Sequence, residues 1–561
     1  MTASISNRLV VNDDNSIAAA WTFSPNATTN FPDRGTGYNY SSDGGTTWLF
    51  PTVIGVSQGP STRTESVRTG FTNIVNCAGG SEMSIQHTGT AMSLNYRPAK
   101  GTGAWTISYP WGTANNDTWP KAIASGDNVY AIWQGSGTTG TPTLGQDGPM
   151  FLSISNDGGV TWSTKSVISL IDSTHYLGFG GDDYSIDVKG NTVAIVVGNQ
   201  LSDIVLLKST DAGATWASTV IYQHPIPMYD LNTMISDTNA DGIVDTLMST
   251  SGDAAVLIDD NDLCHVWMSD FRWYCDLSTV GSYNYFPSTD GLEYWNENMA
   301  TGAYVLIAAA EDLNGNGVLD APGDETCSGV GLAWGNYRGG ITGMPSAGID
   351  MSNGRMYVSY QTIDELADTA LYHQAHRHVY MIASDDHGLT WSSPVDIVPT
   401  IADGGDGENQ EAVFAAMAKR VVNNTAYVLY QRDPYPGHAL AAAGTCDLAN
   451  NLGNSSDLVF ARLDAAIVST GNLDNNNLFV SQNYPNPASS STSIKVTLKK
   501  SADVTITVSD IIGQVVFSQT QNNVNAGTQV INLNTANWHS GVYTYTVTSG
   551  DQKTSRQMIV Q

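Results

Sequence analysis

Short apolar runs, each opened by Asn, Asp or Gly and separated by polar turns, recur along most of the chain. They read DNSIAAAWTF (14–23), GTAMSLNYR (89–97), DNVYAIWQ (127–134), GNTVAIVVGN (190–199), NDLCHVWMSD (261–270), GRMYVSYQT (354–362) and NNTAYVLYQR (423–432). Runs this short, rich in β-branched and aromatic residues and bounded by turn formers, predict strands. Four of them are followed by one eight-residue signature: SSDGGTTW (41–48), SNDGGVTW (155–162), STDAGATW (209–216) and SDDHGLTW (384–391). The run at 261–270 is followed by STDGLEYW (288–295), a degraded copy that keeps Ser288, Asp290 and Trp295. A motif that returns at long intervals marks a repeat architecture.

Each signature has the chemistry of a tight hairpin. The frame is Ser41, Asp43, Gly45, Thr47 and Trp48 in the first copy, and Ser155, Asp157, Gly159, Thr161 and Trp162 in the second. The third copy has Ser209, Asp211, Gly213, Thr215 and Trp216, and the fourth has Ser384, Asp386, Gly388, Thr390 and Trp391. The Asp accepts hydrogen bonds from N–H groups a few residues on. The Gly supplies the positive φ that closes the turn. The Thr suits a strand, and the Trp buries a large ring between packed sheets. The signature resembles the Asp box of sialidases and other BNR-repeat β-propellers. In that family the box lies away from the active-site face, so the resemblance implies fold and says little of chemistry.

Seven apolar runs imply seven repeat units, with six, as in catalytic sialidases, the alternative; the unit near 89–105 is short enough to be an insertion. The expected order within a unit is strand, apolar strand, strand, signature turn, last strand. The fold class is therefore all-β: a multi-bladed β-propeller over residues 1–468, an Asn-rich linker at 469–477, and a small Ig-like β-sandwich over 478–561. The tail alternates apolar and polar positions at 492–498, 502–510, 513–519, 528–534 and 541–547, and ends in QMIVQ. It opens on NYPNP (483–487) and carries Asp510 with Gly513, Gly541-Val542-Tyr543 with Tyr545, and a closing MIV at 558–560. These pieces resemble the type A C-terminal sorting domain of type IX secretion cargo. The resemblance implies a partner, the type IX secretion machinery, and a place outside the outer membrane, secreted or held on the surface.

Composition narrows the functional classes. Charged residues make up only 14% of the chain, which fits an all-β protein poor in helix-forming Lys, Glu and Arg. The net charge of −30 argues against nucleic acid, whose phosphates it would repel, and leaves carboxylates free for hard cations. No apolar run reaches the length of a membrane-spanning helix. The opening MTASISNRLVV has no basic segment followed by an apolar core, so no signal peptide is expected in this chain. Among the five cysteines, Cys264 and Cys275 flank a short aromatic segment and either bridge a hairpin or stay apart. A pairing of Cys327 with Cys446 would leave Cys77 free. With no CxxC pair, a thiolate zinc site is not expected.

Two acidic loops fit D-x-N-x-[DN]-G-x-x-D and are expected to wrap Ca²⁺ in a structural role. In the first the ligands are Asp237, Asn239, Asp241, the Ile243 carbonyl and Asp245; in the second, Asp312, Asn314, Asn316, the Val318 carbonyl and Asp320. Both lack a bidentate Glu at position 12, where Met248 and Gly323 stand, which disfavours a helix–loop–helix hand. The competing reading is two solvated acidic turns. His373, His376 and His378 in HQAHRH have the spacing of a Zn²⁺ or Cu²⁺ site, but read more simply as a polar strand entry. His387 occupies a variable place in its signature and needs no function.

Sialidase chemistry demands three arginines that clamp a carboxylate, a Tyr nucleophile activated by Glu, and an Asp acid/base. The chain has 13 arginines and no F/Y-R-I-P opening; Tyr96-Arg97-Pro98 is a faint echo. Arg272, Arg338 and Arg432 lie near strand ends without flanks that say they converge. Tyr360 and Tyr430 read as core or channel-lining aromatics. The stretch 271–286 packs six aromatic residues into 16 positions. It offers rings for sugar stacking, or a loop folded over its own cluster. No catalytic residue is assigned. The expected function is binding of a glycan, a surface polymer or a protein partner by a secreted or surface-displayed, calcium-stabilised propeller. The alternatives are an exo-acting glycoside hydrolase of sialidase-like type and a self-associating subunit of a surface layer or filament.

Overall fold

The computed structural model describes residues 4–24, 31–50, 63–135, 143–313, 319, 334–335, 337, 339–365, 374–398, 410–438, 456–464, 478–480, 483, 488–498, 500–510, 514–550 and 552–560. Among these the protein is all-β, without an α-helix. From the N-terminus to Asp464 the described strands form seven antiparallel sheets. Sheet 1 orders Leu9–Val11, Ile17–Phe23 and Gly35–Ser41. Sheet 2 orders Gly70–Asn76, Glu82–His87, Met92–Arg97 and Thr106–Ser108. Sheet 3 orders Asp117–Ser125, Asn128–Gly135, Met150–Ser155 and Ser166–Val167. Sheet 4 orders Tyr184–Lys189, Thr192–Val197, Ile204–Ser209 and Ala217–Tyr222. Sheet 5 is built on the long strand Cys264–Tyr274, flanked by Leu247–Thr250, Ala255–Ile258, Asn284–Tyr285, Leu292–Asn296 and Val305–Ala308. Sheet 6 orders Gly343–Asp350, Arg355–Ile363, Arg377–Ser384 and Val395–Asp396. Sheet 7 orders Glu411–Met417, Thr425–Asp433 and Asp457–Asp464.

Every sheet shares a core with the next. Ala18, Ala20 and Tyr38 of sheet 1 meet Ile74 of sheet 2. The same happens between sheets 2 and 3, 3 and 4, 4 and 5, 5 and 6, and 6 and 7. The last interface joins the ends of the chain: Leu9, Val11, Ile17 and Ala19 pack on Ala418, Tyr427 and Leu429. The sheets thus form a closed ring, a β-propeller. Sandwiching explains the burial pattern, since strands Gly343–Asp350 and Arg377–Ser384 are buried at every residue. The innermost strands converge on one axis, where Asn73, Lys121, Ser185, Ala255, Ser346 and Met417 line a 30 Å³ cavity beside Ser6. That space holds little more than a water.

The four signatures form one repeated turn at the end of a sheet's third strand. In the second copy the Ser155 hydroxyl donates to Asp157 Oδ1 at 2.8 Å and accepts from the Gly159 N–H at 2.9 Å. Asp157 then accepts from Thr161 N (2.8 Å) and Thr161 Oγ1 (2.6 Å). The other three copies repeat these bonds. These donors hold the carboxyls of Asp43, Asp157 and Asp211 down at about 2. Each turn reaches back to the preceding sheet. Trp48 of sheet 1 meets Phe460 of sheet 7 edge-on at 4.8 Å. Trp162 of sheet 3 meets Trp111, in the connection leaving sheet 2, at 4.9 Å. Trp216 of sheet 4 joins the core shared with sheet 3. Trp391 of sheet 6 meets Tyr294 of sheet 5 at 5.2 Å.

Three expectations are corrected. STDGLEYW is not a fifth turn: Leu292–Asn296 is the strand itself, so Asp290 and Trp295 lie before and within a strand. Asp290 accepts instead from the Ala310 N–H, at 3.2 Å. The run 89–97 supplies the third strand of sheet 2, whose second strand, Glu82–His87, the apolar pattern passed over. Cys264 and Cys275 do not bridge a hairpin. One extended strand, Cys264–Tyr274, separates them by roughly 35 Å at the usual rise per residue; both are free and buried, as is Cys77. Cys327, Cys446 and the linker 469–477 lie outside the described residues.

The tail is a β-sandwich. One sheet orders Leu478–Val480, Ser491–Leu498 and Gly527–Asn534; the other orders Val515–Val524, Ala502–Asp510, Gly541–Ser549 and Gln552–Val560. Burial alternates along Ser491–Leu498, as expected of a strand with one covered face. Ile494, Val508, Tyr545 and Val560 are among the core residues between the two sheets. Two cations of this sandwich meet carboxylates of sheet 5: Arg556 Nη1 lies 3.3 Å from Asp290 Oδ2, and Lys495 Nζ 3.5 Å from Glu293 Oε1.

The ring joints are sensitive to one atom. Gly388 has φ +85°, and a Cβ there would lie 1.9 Å from the Tyr294 hydroxyl oxygen. Gly190 has φ +58° and nothing within 4 Å. Gly388→Ala is expected to lose about 2–4 kcal/mol, strain plus overpacking, and Gly190→Ala about 1 kcal/mol from strain alone. Denaturant unfolding of both variants checks the difference.

Candidate functional site

Antiparallel alternation separates two faces. On the signature face, first and second strands join through short turns such as Gly126-Asp127 and Gly190-Asn191. The strand ends of the opposite face are joined by connections longer in sequence: 136–149, 223–246, 275–291 and 309–342. This second face is the candidate binding face, since loops there are free of the joints.

Carboxyl groups stand at or just before the innermost strands on that face: Asp117 in sheet 3, Asp182 and Asp183 before Tyr184–Lys189, Asp253 before Ala255–Ile258, and Glu411 in sheet 7. All are under a tenth exposed. Asp253 Oδ2 accepts from the Met344 N–H of sheet 6 at 2.7 Å. Glu411 accepts from the Arg377 N–H and the Tyr337 hydroxyl, both at 2.6 Å. Asp117 pairs with Lys165 at 2.7 Å, Asp182 with Lys121, and Asp183 accepts from Asn199 Nδ2. Burial pushes Asp183 up to about 8, reinforced by Asp182 and Asp253. Burial pushes Glu411 up to about 7, against hydrogen bonds from Tyr337 and Arg377. Sequence reasoning missed this rim. Its only signal is an acidic residue opening each innermost run, as in DDYSIDV, DAAVLID and EAVFAAM.

Among the described residues, the arginines and tyrosines singled out for sialidase chemistry are engaged in other contacts. Arg97 is buried between Glu82 and the rings of Trp105 and Tyr38. Arg272 lies over Phe286 at 4.2 Å, and Arg432 is 3.9 Å from Asp457; Arg338 lies outside the described residues. Tyr360 and Tyr430 are fully buried core residues. The aromatic stretch 271–286 folds on its own cluster with Tyr229 and Leu247: Phe271, Trp273 and Cys275 are buried, and Tyr283 and Tyr285 pack against them.

The first acidic loop curls as its spacing requires. Asp237 accepts from the Gly242 N–H (2.8 Å), Asp241 from Ile243 N (2.8 Å) and Asp245 from Thr238 N (2.8 Å), and Gly242 takes φ +82°. These backbone donors, Gly242 first, hold the Asp237 carboxyl below its usual range. Asn239 accepts from the Asp241 N–H, and Ile243 is exposed at the loop surface. Of the second loop only Asp312 is described; Asn314, Asn316, Val318 and Asp320 lie outside the described residues, as does His373. His376 and His378 do not share a ligand. His376 Nε2 is 3.1 Å from the Pro434 carbonyl, whereas His378 Nδ1 is 2.6 Å from Asp396.

The rim carries a pH dependence. Unfolded, Asp183 loses its proton near pH 4; folded, it keeps it to about pH 8. The folded state therefore binds the extra proton between these values. Its contribution is full below pH 4 and fades as pH rises toward 8. The Tm of the wild type is expected to fall across that window by about 2–5 °C more than that of Asp183→Asn, measured by calorimetry.

Among solved structures the chain is similar to PorZ of Porphyromonas gingivalis, an essential bacterial surface component of the type-IX secretion system, at 11% identity and TM-score 0.34. It covers 100% of this chain, which spans 59% of PorZ. It is also similar to Trypanosoma rangeli sialidase in complex with sialic acid, at 9% identity, 91% and 87% coverage of the two chains and TM-score 0.37. A third is the Hadza microbial sialidase Hz136, at 12% identity, 71% and 70% coverage and TM-score 0.34. No curated protein matches the chain. A family model described as a secretion system C-terminal sorting domain matches residues 482–561. The β-sandwich that closes this chain is thus a type IX secretion sorting domain, and the propeller it follows is carried out of the cell as its cargo.

Proposed function

We propose that the propeller, each of its seven sheets counted as one blade and each signature as an Asp box, is a binding module displayed at or released from the cell surface. Its ligand is a glycan, a surface polymer or a protein partner, met by the long-loop face. The observation that carries this reading is the closed axis. A 30 Å³ cavity lies between the described innermost strands, and the carboxyl groups above are buried, those of Asp182, Asp253 and Glu411 in contacts between sheets. An exo-glycosidase needs a sugar ring to reach two carboxyls and a cationic clamp. Calcium in the 237–245 loop belongs to the same reading. The loop lies beside the aromatic cluster, where the Ser236 N–H donates to the Cys275 carbonyl at 2.9 Å, so an ion there stiffens an insertion on the binding face.

The tests separate the parts. Removing 478–561 is expected to leave a folded propeller that stays inside the cell; normal surface delivery of the truncated chain would refute the role of the tail. A fluorogenic sialoside is expected to stay intact with the purified full chain, and turnover would favour the hydrolase. Millimolar Ca²⁺ is expected to raise the Tm of the chelator-treated chain by a few degrees, about 1–2 kcal/mol at site saturation. Asp241→Asn is expected to abolish the rise. An unchanged Tm with and without Ca²⁺ rejects the ion.

A further inference from the structure

On the signature face, sheets 5 and 6 bring four metal-ligating groups together. Asp259 and Asp260 follow strand Ala255–Ile258, and His265 is the second residue of Cys264–Tyr274. His387 comes from the signature turn of sheet 6. One ligand atom from each of Asp259, Asp260 and His387 lies within 4.8 Å of the other two. His265 Nε2 stands beside this group, 3.4 Å from Asp259 Oδ2. We propose that these residues form a binding site for one divalent transition-metal ion of the Zn²⁺ type, which ties sheet 5 to sheet 6.

His265 is fully buried. Its Nδ1 is 2.7 Å from the Tyr294 hydroxyl, which also lies 3.2 Å from the His387 carbonyl and accepts from Asn296 Nδ2 at 2.9 Å. His265 Nε2 faces Asp259 Oδ2 at 3.4 Å without a formed hydrogen bond. With the Tyr294 proton on the His387 carbonyl, Nδ1 carries the imidazole proton and the Nε2 lone pair is free for a cation. Holding one imidazole nitrogen by a hydrogen bond so that the other ligates is the usual arrangement around a metal.

A tetrahedral ion with bonds of 2.0–2.2 Å sets its ligand atoms about 3.3–3.5 Å apart. Two separations fall in that range, 3.4 Å (Asp259–His265) and 3.5 Å (Asp260–His387); the third, Asp259–His387, is a 3.0 Å hydrogen bond that an ion would replace. Asp259 is prepared for the task. Its Oδ1 accepts from the Asn261 and Leu263 N–H groups, both at 2.8 Å, which leaves Oδ2 to the imidazoles. The nearest ammonium, Lys189, is directed elsewhere, to the Asp259 and Asp260 carbonyls (2.8 and 2.7 Å) and to Asp262 (3.0 Å). Two imidazoles with two carboxylates suit Zn²⁺ and its neighbours better than Ca²⁺.

The sequence adds an independent sign. In the other signatures the position of His387 is Gly44, Gly158 or Ala212, all with positive φ. His387 takes φ +56°, a conformation that favours Gly. His387→Gly therefore restores the residue of two sister turns, and the variant is expected to fold at least as well as the wild type.

The test uses the full chain, stripped of metal and held in millimolar Ca²⁺ to fill oxygen-only sites. Zn²⁺ titration followed by calorimetry is expected to show one more equivalent bound by the wild type than by His387→Gly. Asp260→Asn is expected to bind that equivalent at least 10-fold more weakly. Zn²⁺ is expected to raise the Tm of the wild type but not of His387→Gly, and Co²⁺ to give the intense visible bands of a tetrahedral site in the wild type alone. Equal stoichiometry and affinity in the wild type and both variants overturns the proposal, as does a wild type that binds no Zn²⁺. In that case Asp259 simply shares protons with two imidazoles.

Discussion

An indole and a glycine, delivered together by one turn, hold each signature-bearing sheet to the sheet before it. A propeller blade is covered on both faces by its neighbours, so its stability depends on how closely the next blade approaches. At four of the seven interfaces that approach is set at the outer edge by the same pair of atoms. The glycine Cα sits where no Cβ fits: over Phe460, Met83, Ile154 and Tyr294 for Gly45, Gly159, Gly213 and Gly388. The Trp that follows fills the gap beside it. The carboxylate of the turn accepts its hydrogen bonds from within the turn. It fixes the backbone so that glycine and indole arrive together, which explains why Ser, Asp, Gly, Thr and Trp recur as one unit.

Such a ring leaves little freedom at its centre. Lys121, buried, and Lys419, half-buried, sit by the axis, each directed to a backbone carbonyl, Ser4 and Val256 respectively. Burial lowers both ammonium pKa values, against the pull of Asp182 and Asp187. Charges so placed are costly unless paired. Their partners come from neighbouring sheets or the N-terminal segment, so the polar groups at the axis work as staples. With the axis committed in this way, the proposed binding role falls to the loops, and the long connections 223–246 and 309–342 join strand ends of one face.

What the sequence shows and what it hides divides along the same physics. Features set by local backbone geometry were legible: the turns at Asp43, Asp157, Asp211 and Asp386, and the alternating strands of the tail, where Ala502–Asp510 falls on its expected bounds. Features that need two distant segments were not. STDGLEYW kept the right residues, but its Asp290 serves Ala310 and Arg556, contacts invisible at the level of one turn. Cys264 and Cys275 looked like hairpin partners because they flank a short aromatic segment, yet a single strand fills that spacing. The acidic rim failed to register because one Asp before an apolar run is ordinary. Only the ring brings Asp182, Asp183 and Asp253 near one another.

His387 shows how the two kinds of feature meet. Within its own turn it is a mild anomaly, a bulky residue at a left-handed position that needs no role. Across the interface it stands over Asp259 and Asp260, beside the Tyr294 hydroxyl that both orients His265 and crowds Gly388. At this interface alone among the four, the joint carries a side chain with a lone pair where its sisters carry a hydrogen or a methyl group. The same interface belongs to sheet 5, whose outer strands also receive Lys495 and Arg556 of the sorting domain. Sheet 5 therefore carries both the long insertion at 223–246 and the contact with the tail. The proposed ion would tie it to sheet 6 at the opposite end.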